Sequence, residues 1–279
     1  MKHDDVKLGN ESVKTDFAAS MTYSDYLGLD KILSAQSPKS EQHDEQLFII
    51  IHQVKELWMK LMLHEINSAS ADIEHDNFRE ALKKLSRVSS IQRQLISAWD
   101  VLTTMTPADY VKFRDELGHA SGFQSYQNRM VEFSLGYKTT HALEIYKQNP
   151  DIHKALVKQL NTVSLYDQVI RAIHRAGFNI DDEVISRDIT KSYVPNASVK
   201  AAFKEIYLNT DEYFILYEML EKLVDVEEQY ARWRFRHMKT VERVIGFKTG
   251  TGGSSGVNYL RKVVDHYFFK ELWDLRTEI

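Results

Sequence analysis

The stretch DEYFILYEMLEKLVDVEEQYARWRFRHMKTVERVIG, residues 211–246, decides the fold. Leu216, Leu220, Leu223, Val226, Tyr230, Trp233, His237, Val241 and Val244 return at steps of three and four, the period of one helix face. No proline interrupts the stripe, and Gly246 suits the left-handed residue that ends a helix. The pattern predicts one helix from near Asp211 to Gly246. A stripe of that length needs other long helices to cover it.

Those helices are legible on both sides. From Asp44 to about Asp72, Leu47, Ile50 or Ile51, Val54, Leu57 or Trp58, Leu61 and Ile66 keep the same period. Asn77 followed by Glu80 reads as a cap with its reciprocal acid, opening a helix to about Thr104. Thr106-Pro107-Ala108-Asp109 combines a cap, a first-turn proline and a first-turn acid, and starts a short helix ending near Gly118. HASGFQSYQ (119–127) interrupts, and a further helix runs to Gly136. Residues 150–176 read as two helical pieces. Residues 177–196 have no sustained period and read as a surface excursion, and a last helix begins near Val257.

Residues 21–35 read as a short amphipathic arm or helix, and the polar residues 1–18 are expected to be a mobile tail. The expected architecture is all-α: one large helical domain over residues 19–279, with no internal repeat.

Composition agrees. Eleven glycines and four prolines in 279 residues are about 5%, against roughly 12% in average usage, too few for the turns of a sandwich or barrel. The absence of cysteine excludes disulfides, thiolate metal sites and a Cys nucleophile, so any metal falls to His, carboxylate or Tyr. A net charge of −4 gives no general affinity for nucleic acid. The longest apolar run, Leu47–Ile51, is far short of the about 20 residues of a membrane span. These features predict a cytoplasmic chain.

Several residues stand out for chemistry. His237 lies among apolar and aromatic residues on the long stripe. It reads either as a hydrogen-bonded core histidine, which spacing alone favours, or as a metal or haem ligand. His52 follows Phe48 by one turn and precedes Glu56 by one turn, so it is either half of a surface pair or a polar group at the rim of an aromatic pocket. A di-iron site is excluded, because the single Glu-x-x-His, Glu116 and His119, encloses Gly118. GFKTGTGGSSG (246–256) holds five of the eleven glycines. It lacks the phosphate-loop lysine, yet its backbone N–H groups and hydroxyls suit a carboxylate. Tyr110 and Arg114, one turn apart, would complete a site for a small anion.

LFIIIHQVKELWMKLMLHE (47–65), FRDELGHASGFQSYQNRMVEF (113–133) and RWRFRHMKTVERVIGFKTGTGGSSGVNYL (232–260) resemble the signature segments of the tryptophan 2,3-dioxygenase family. TYSDYLGLDKILSAQ (22–36) and FFKELWDLRT (268–277) resemble it too. The resemblance implies a mostly helical enzyme with ferrous haem b between long helices, assembled as a homotetramer. Its reaction inserts both atoms of O₂ across the indole C2–C3 bond of L-tryptophan, giving N-formyl-L-kynurenine.

Carried over by position, His237 matches the proximal haem ligand, and Trp99 and Ser121 match haem-pocket positions. His52 matches the residue that meets the indole N–H, and Phe48 the ring that packs on the substrate. Tyr110, Arg114 and Thr251 match the clamp on the amino-acid moiety. Tyr23, Tyr26 and Leu27 match an arm that reaches a neighbouring subunit's site. Two other readings remain open: a haem enzyme that transfers one oxygen atom, and a non-enzymatic helical adaptor using the basic RWRFRHMK run (232–239).

Overall fold

A computed structural model describes residues 20–279, which divide into a segment ending at Pro38 and a body from Lys39 to Ile279. The tail expected over residues 1–18 lies outside the described residues. The segment carries two single-turn helices, α1 (Tyr23–Leu27) and α2 (Leu29–Leu33), joined at Gly28, whose φ of 61° lets the chain turn without a Cβ clash. Thr22 and Asp25 cap α1 reciprocally.

The body is built on three long helices: α3 (His43–Glu74), α4 (Phe78–Leu102) and, much later in the chain, α12 (Phe214–Val244). Between them lie α5 (Pro107–Val111), α6 (Tyr126–Leu135), α7 (His141–Glu144), α8 (Pro150–Leu160), α9 (Leu165–Arg175), α10 (Asp182–Ile185) and α11 (Ala197–Leu208). The chain ends with α13 (Val257–Val264) and α14 (Lys270–Leu275). No strand occurs among the described residues, as expected for an all-α chain. None of their helices is long and apolar enough to cross a membrane.

The core forms where the apolar stripes meet. Ile66, Ala69 and Ile73 of α3, Leu85, Val88 and Leu95 of α4, and Leu220, Leu223 and Val226 of α12 are all buried in one cluster. The α3–α4 turn is tight enough to put Asp76 at φ 58°, unusual for a side-chain-bearing residue. Arg175 of α9 fastens it, donating from Nη2 to Ile73 O at 2.8 Å and to Asp76 Oδ1 at 2.6 Å. Gln92 Nε2 donates to Val226 O at 2.9 Å and ties α4 to α12 inside the core. Glu227 is buried on α12, where its carboxylate accepts the backbone N–H groups of Phe268 and Phe269 and Nε1–H of Trp273. It thereby anchors the C-terminal segment.

Three local expectations change. Asn77 precedes α4 without a side-chain cap hydrogen bond, so the expected capping pair does not form. The helix begun at Pro107 stops at Val111, and the chain tightens into a 3₁₀ turn over Arg114–Leu117. The region after residue 196 holds α11, which the periodicity reading leaves unassigned; Asn196 caps it by accepting from Ser198 N. The Thr106–Asp109 capping box forms as read.

Candidate active site

At one end of the three-helix core, Trp99, Leu102, Met105, Tyr110, Phe113 and Val244 form a second buried cluster, with Leu47, Phe48, Ile51 and Trp233 packed against it. Both histidines singled out by sequence lie against rings of this aromatic cluster, His52 on Phe48 and His237 on Trp99.

His52 lies on α3 with its ring 4.3 Å from that of Phe48, centroid to centroid. Its Nδ1 is 2.7 Å from Phe48 O. A carbonyl oxygen only accepts, so Nδ1 carries the proton and Nε2 keeps its lone pair. Burial, reinforced by the nearby Lys55 charge, holds the imidazolium off down to a pKa of about 3, so the ring is neutral. Glu56 is engaged elsewhere, accepting from Gln127 Nε2 at 2.9 Å, and the surface His–Glu pair does not form.

His237 lies on α12, stacked on Trp99 with centroids 4.6 Å apart and planes 9° apart, and close to Trp233 at 5.7 Å. Among the described residues it has no hydrogen-bond partner, which removes the satisfied core histidine reading. Burial first, then Lys55 and His52, push its pKa down to about 3. The buried Trp99 Nε1 and Trp233 Nε1 also lack partners.

A neutral imidazole with a free lone pair, set among flat aromatic rings, is a donor that would hold haem iron. The donor chemistry therefore fits haem. No group of three or more His, Asp or Glu that would hold a bare ion occurs among the described residues.

The rim is a pair of interlocked loops. Phe48 lies 6.1 Å from Tyr110 and 5.7 Å from Phe113. Arg114, in the 3₁₀ turn after α5, donates from Nη2 to Thr249 O at 2.8 Å, and its buried Nε has no partner. Burial raises the pKa of the neighbouring Tyr110, opposed by the Arg114 charge. Thr251 donates its hydroxyl to Ala120 O at 2.5 Å, which leaves Oγ1 free to accept. Gly252 faces Ser121 so closely that a Cβ there would lie 2.7 Å from Ser121 Cβ. The glycine cluster is therefore a close-packing device that presses residues 249–252 against residues 120–121. His52, Phe48, Tyr110, Arg114, Ser121, Thr251, Trp99 and His237 all belong to the body.

Comparison with known proteins shows the family of the chain. A family model described as tryptophan 2,3-dioxygenase matches residues 9–163 and 157–279. The tryptophan 2,3-dioxygenase of Bacillus thuringiensis (strain Al Hakam) is 53% identical over 279 residues, covering 100% of both chains.

The chain belongs to the tryptophan 2,3-dioxygenase family.

Members from other genera agree: that of Exiguobacterium sibiricum is 52% identical over 279 residues, and that of Shewanella woodyi 48% over 282 residues, covering 99% of each chain. Within this dioxygenase fold, Tyr23, Tyr26 and Leu27 belong to the N-terminal segment, where α1 has no buried residue and both tyrosines are 76% exposed. The basic run of α12 forms surface ion pairs, Arg232 with Glu228 and Lys239 with Glu242, rather than an open binding face.

The sequence reading missed two pocket residues. Trp233 appears there only as part of the stripe. Lys55 is not singled out, although it follows His52 by three residues on the same helix face; it is buried with Nζ 3.4 Å from the centroid of the Trp99 ring. Burial lowers its pKa to about 7, against the attraction of Glu56.

Proposed function

We propose that this chain performs the reaction of its family through the residues gathered in the aromatic pocket. As a dioxygenase of that family it cleaves the indole C2–C3 bond of L-tryptophan with O₂ and yields N-formyl-L-kynurenine. The observation that carries the residue assignment is the neutral, partnerless His237 beside two tryptophans whose N–H groups are also unpaired. His237 holds haem b through its imidazole, with Trp99 and Ser121 bordering the cofactor. Haem supplies the activation of O₂.

The protein's part is orientation and exclusion of water. His52 Nε2 accepts the indole N–H, because Nδ1–H is committed to Phe48 O. A neutral ring facing so weak an acid orients the substrate rather than deprotonating it. Phe48 packs on the indole. Arg114 uses its unpaired Nε and its remaining guanidinium N–H groups to bind the substrate carboxylate. Thr251 Oγ1, an acceptor because its proton goes to Ala120 O, suits the ammonium group. Tyr110 closes the rim beside Arg114.

The same reading makes the enzyme a cytoplasmic homotetramer in which Tyr23, Tyr26 and Leu27 of one subunit cover the substrate of another. Two exposed aromatic rings on one short turn call for such a cover.

Titration of the purified chain with haem, followed at the Soret band, tests the assignment. The wild type should take up haem stoichiometrically and His237→Ala should not. Turnover under ¹⁸O₂ should add two labelled atoms to L-tryptophan. A single labelled atom would support the oxygenase of other outcome, and full haem uptake by His237→Ala would refute the ligand.

A further inference from the structure

The pocket holds one more cation than the proposed reaction uses. Lys55 stands on α3 one turn beyond His52, is only 4% exposed, and lays its Nζ over the face of Trp99. Among the described residues, no carboxylate, carbonyl or hydroxyl forms a hydrogen bond or ion pair with that nitrogen. Its sequence neighbour Glu56 attracts Lys55 from a distance but hydrogen-bonds Gln127 and forms no ion pair with the lysine. A ring face repays part of the cost of keeping an ammonium from water, but a buried cation ordinarily has an anion.

The surroundings point the same way. The Trp99 ring under Lys55 has an unpaired buried Nε1, and so has Trp233, whose ring centroid lies 6.3 Å from that of Trp99; both atoms are donors. Among the described residues, neither N–H donor meets an acceptor. Whatever completes this part of the pocket brings its own negative oxygens.

The substrate carboxylate is claimed by Arg114 in the rim loops. On the outer side of α12, Arg232, Arg236 and Lys239 pair with Glu228, Asp100 and Glu242, and Arg243 is exposed to solvent rather than buried as Lys55 is. The anion left for Lys55 is a carboxylate on the cofactor itself.

We propose that Lys55 is a cofactor-anchoring residue whose ammonium receives a propionate carboxylate of the haem held by His237. This rests on the haem reading given above. In the haem-free chain the Trp99 ring face shelters the ammonium. With haem in place the charge has its partner, and the contact contributes to holding the cofactor rather than to the oxygen chemistry.

The test is a cycle of two ligands and three proteins, all full-length: hemin and hemin dimethyl ester, which lacks the propionate charges, against wild type, Lys55→Met and Lys55→Arg. Affinity is read from Soret titration and from the rate of haem loss to excess apomyoglobin. Methionine keeps the stem packed on Trp99, and Lys55→Gln serves as a second neutral variant should methionine fail to fold.

Lys55→Met should weaken hemin binding by about 10- to 100-fold, the range of one charge-assisted hydrogen bond. It should leave binding of the ester within about twofold of wild type. Lys55→Arg, which keeps the charge, should bind hemin nearly as the wild type does. Equal loss for both ligands would show that Lys55 acts by packing, and no loss for either would show that it does not touch the cofactor; both overturn the proposal while leaving the haem reading intact. Failure of the wild type to take up haem would overturn the two together.

Discussion

Gly252→Ala tests how finely the two rim loops are fitted. A Cβ at Gly252 would stand 2.7 Å from Ser121 Cβ and 3.0 Å from Ser121 Oγ. Carbon atoms rest about 3.5–4.0 Å apart, so the loops must part by about 1 Å. Arg114 Nη2 now lies 2.8 Å from Thr249 O, and Thr251 Oγ1 lies 2.5 Å from Ala120 O. A shift of about 1 Å takes such contacts past hydrogen-bonding distance. Misplacing orienting groups by about 1 Å costs on the order of 100-fold in rate, or about 2.7 kcal/mol of transition-state stabilisation.

Initial rates of N-formylkynurenine formation at limiting L-tryptophan should therefore fall about 100-fold, while the melting temperature moves little because the three-helix core is untouched. Gly122→Ala is the control, since nothing lies within 4 Å of a Cβ there. Removing the opposing Cβ with Ser121→Gly should restore at least about tenfold when combined with Gly252→Ala, read as coupling against the Ser121→Gly single variant. Wild-type rates for Gly252→Ala, or no coupling in the double variant, would refute the fitted-loop account.

Two further outcomes follow from the site. Arg114→Lys keeps the charge but loses the bond from Nη2 to Thr249 O and the planar fork; KM for L-tryptophan should rise about 10- to 100-fold with an unchanged Soret band, and an unchanged KM would contradict the carboxylate role. The haem-free protein should lose stability on acidification. His52 and His237 hold pKa values of about 3 when folded, below the ordinary 6.5, so the unfolded chain takes up protons first and stability falls as pH drops from about 6.5 towards 3. Denaturant midpoints measured across that window should flatten in the double variant His52→Phe, His237→Phe.

The long helices could be read from sequence because their burial is periodic. The α12 stripe from Leu216 to Val244 and the Thr106 capping box appear in the structure as read. Asn77 shows the limit of such reading: residue type permits a cap, but backbone geometry at the α3–α4 turn does not deliver one. In α11, Val199, Ala202, Phe203 and Ile206 are buried at helical spacing, yet the helix is short and follows an irregular stretch that masks its start.

For the site, spacing left both histidines ambiguous. The choice depends on what distant elements bring to them: Trp99 from α4 against His237 of α12, and the Phe48 carbonyl against His52. Lys55 was invisible for the same reason. A lysine on a helix is ordinarily solvated, and only the arrival of Trp99 over its ammonium makes this one a buried charge.

The joining of α4 to α12 through Gln92 and Val226 spans 134 residues of chain, whereas α3 and α4 are sequence neighbours. Loop closure over such a separation is entropically dear, and contacts of this kind slow folding. During synthesis, the α3–α4 hairpin can form once residue 102 has emerged. His52 must wait for His237, and Arg114 for the loop at residue 249. For much of its time on the ribosome the nascent chain thus exposes an apolar hairpin face with nothing yet made to cover it, and His52 and His237 can share one cluster only after more than four fifths of the chain has been made.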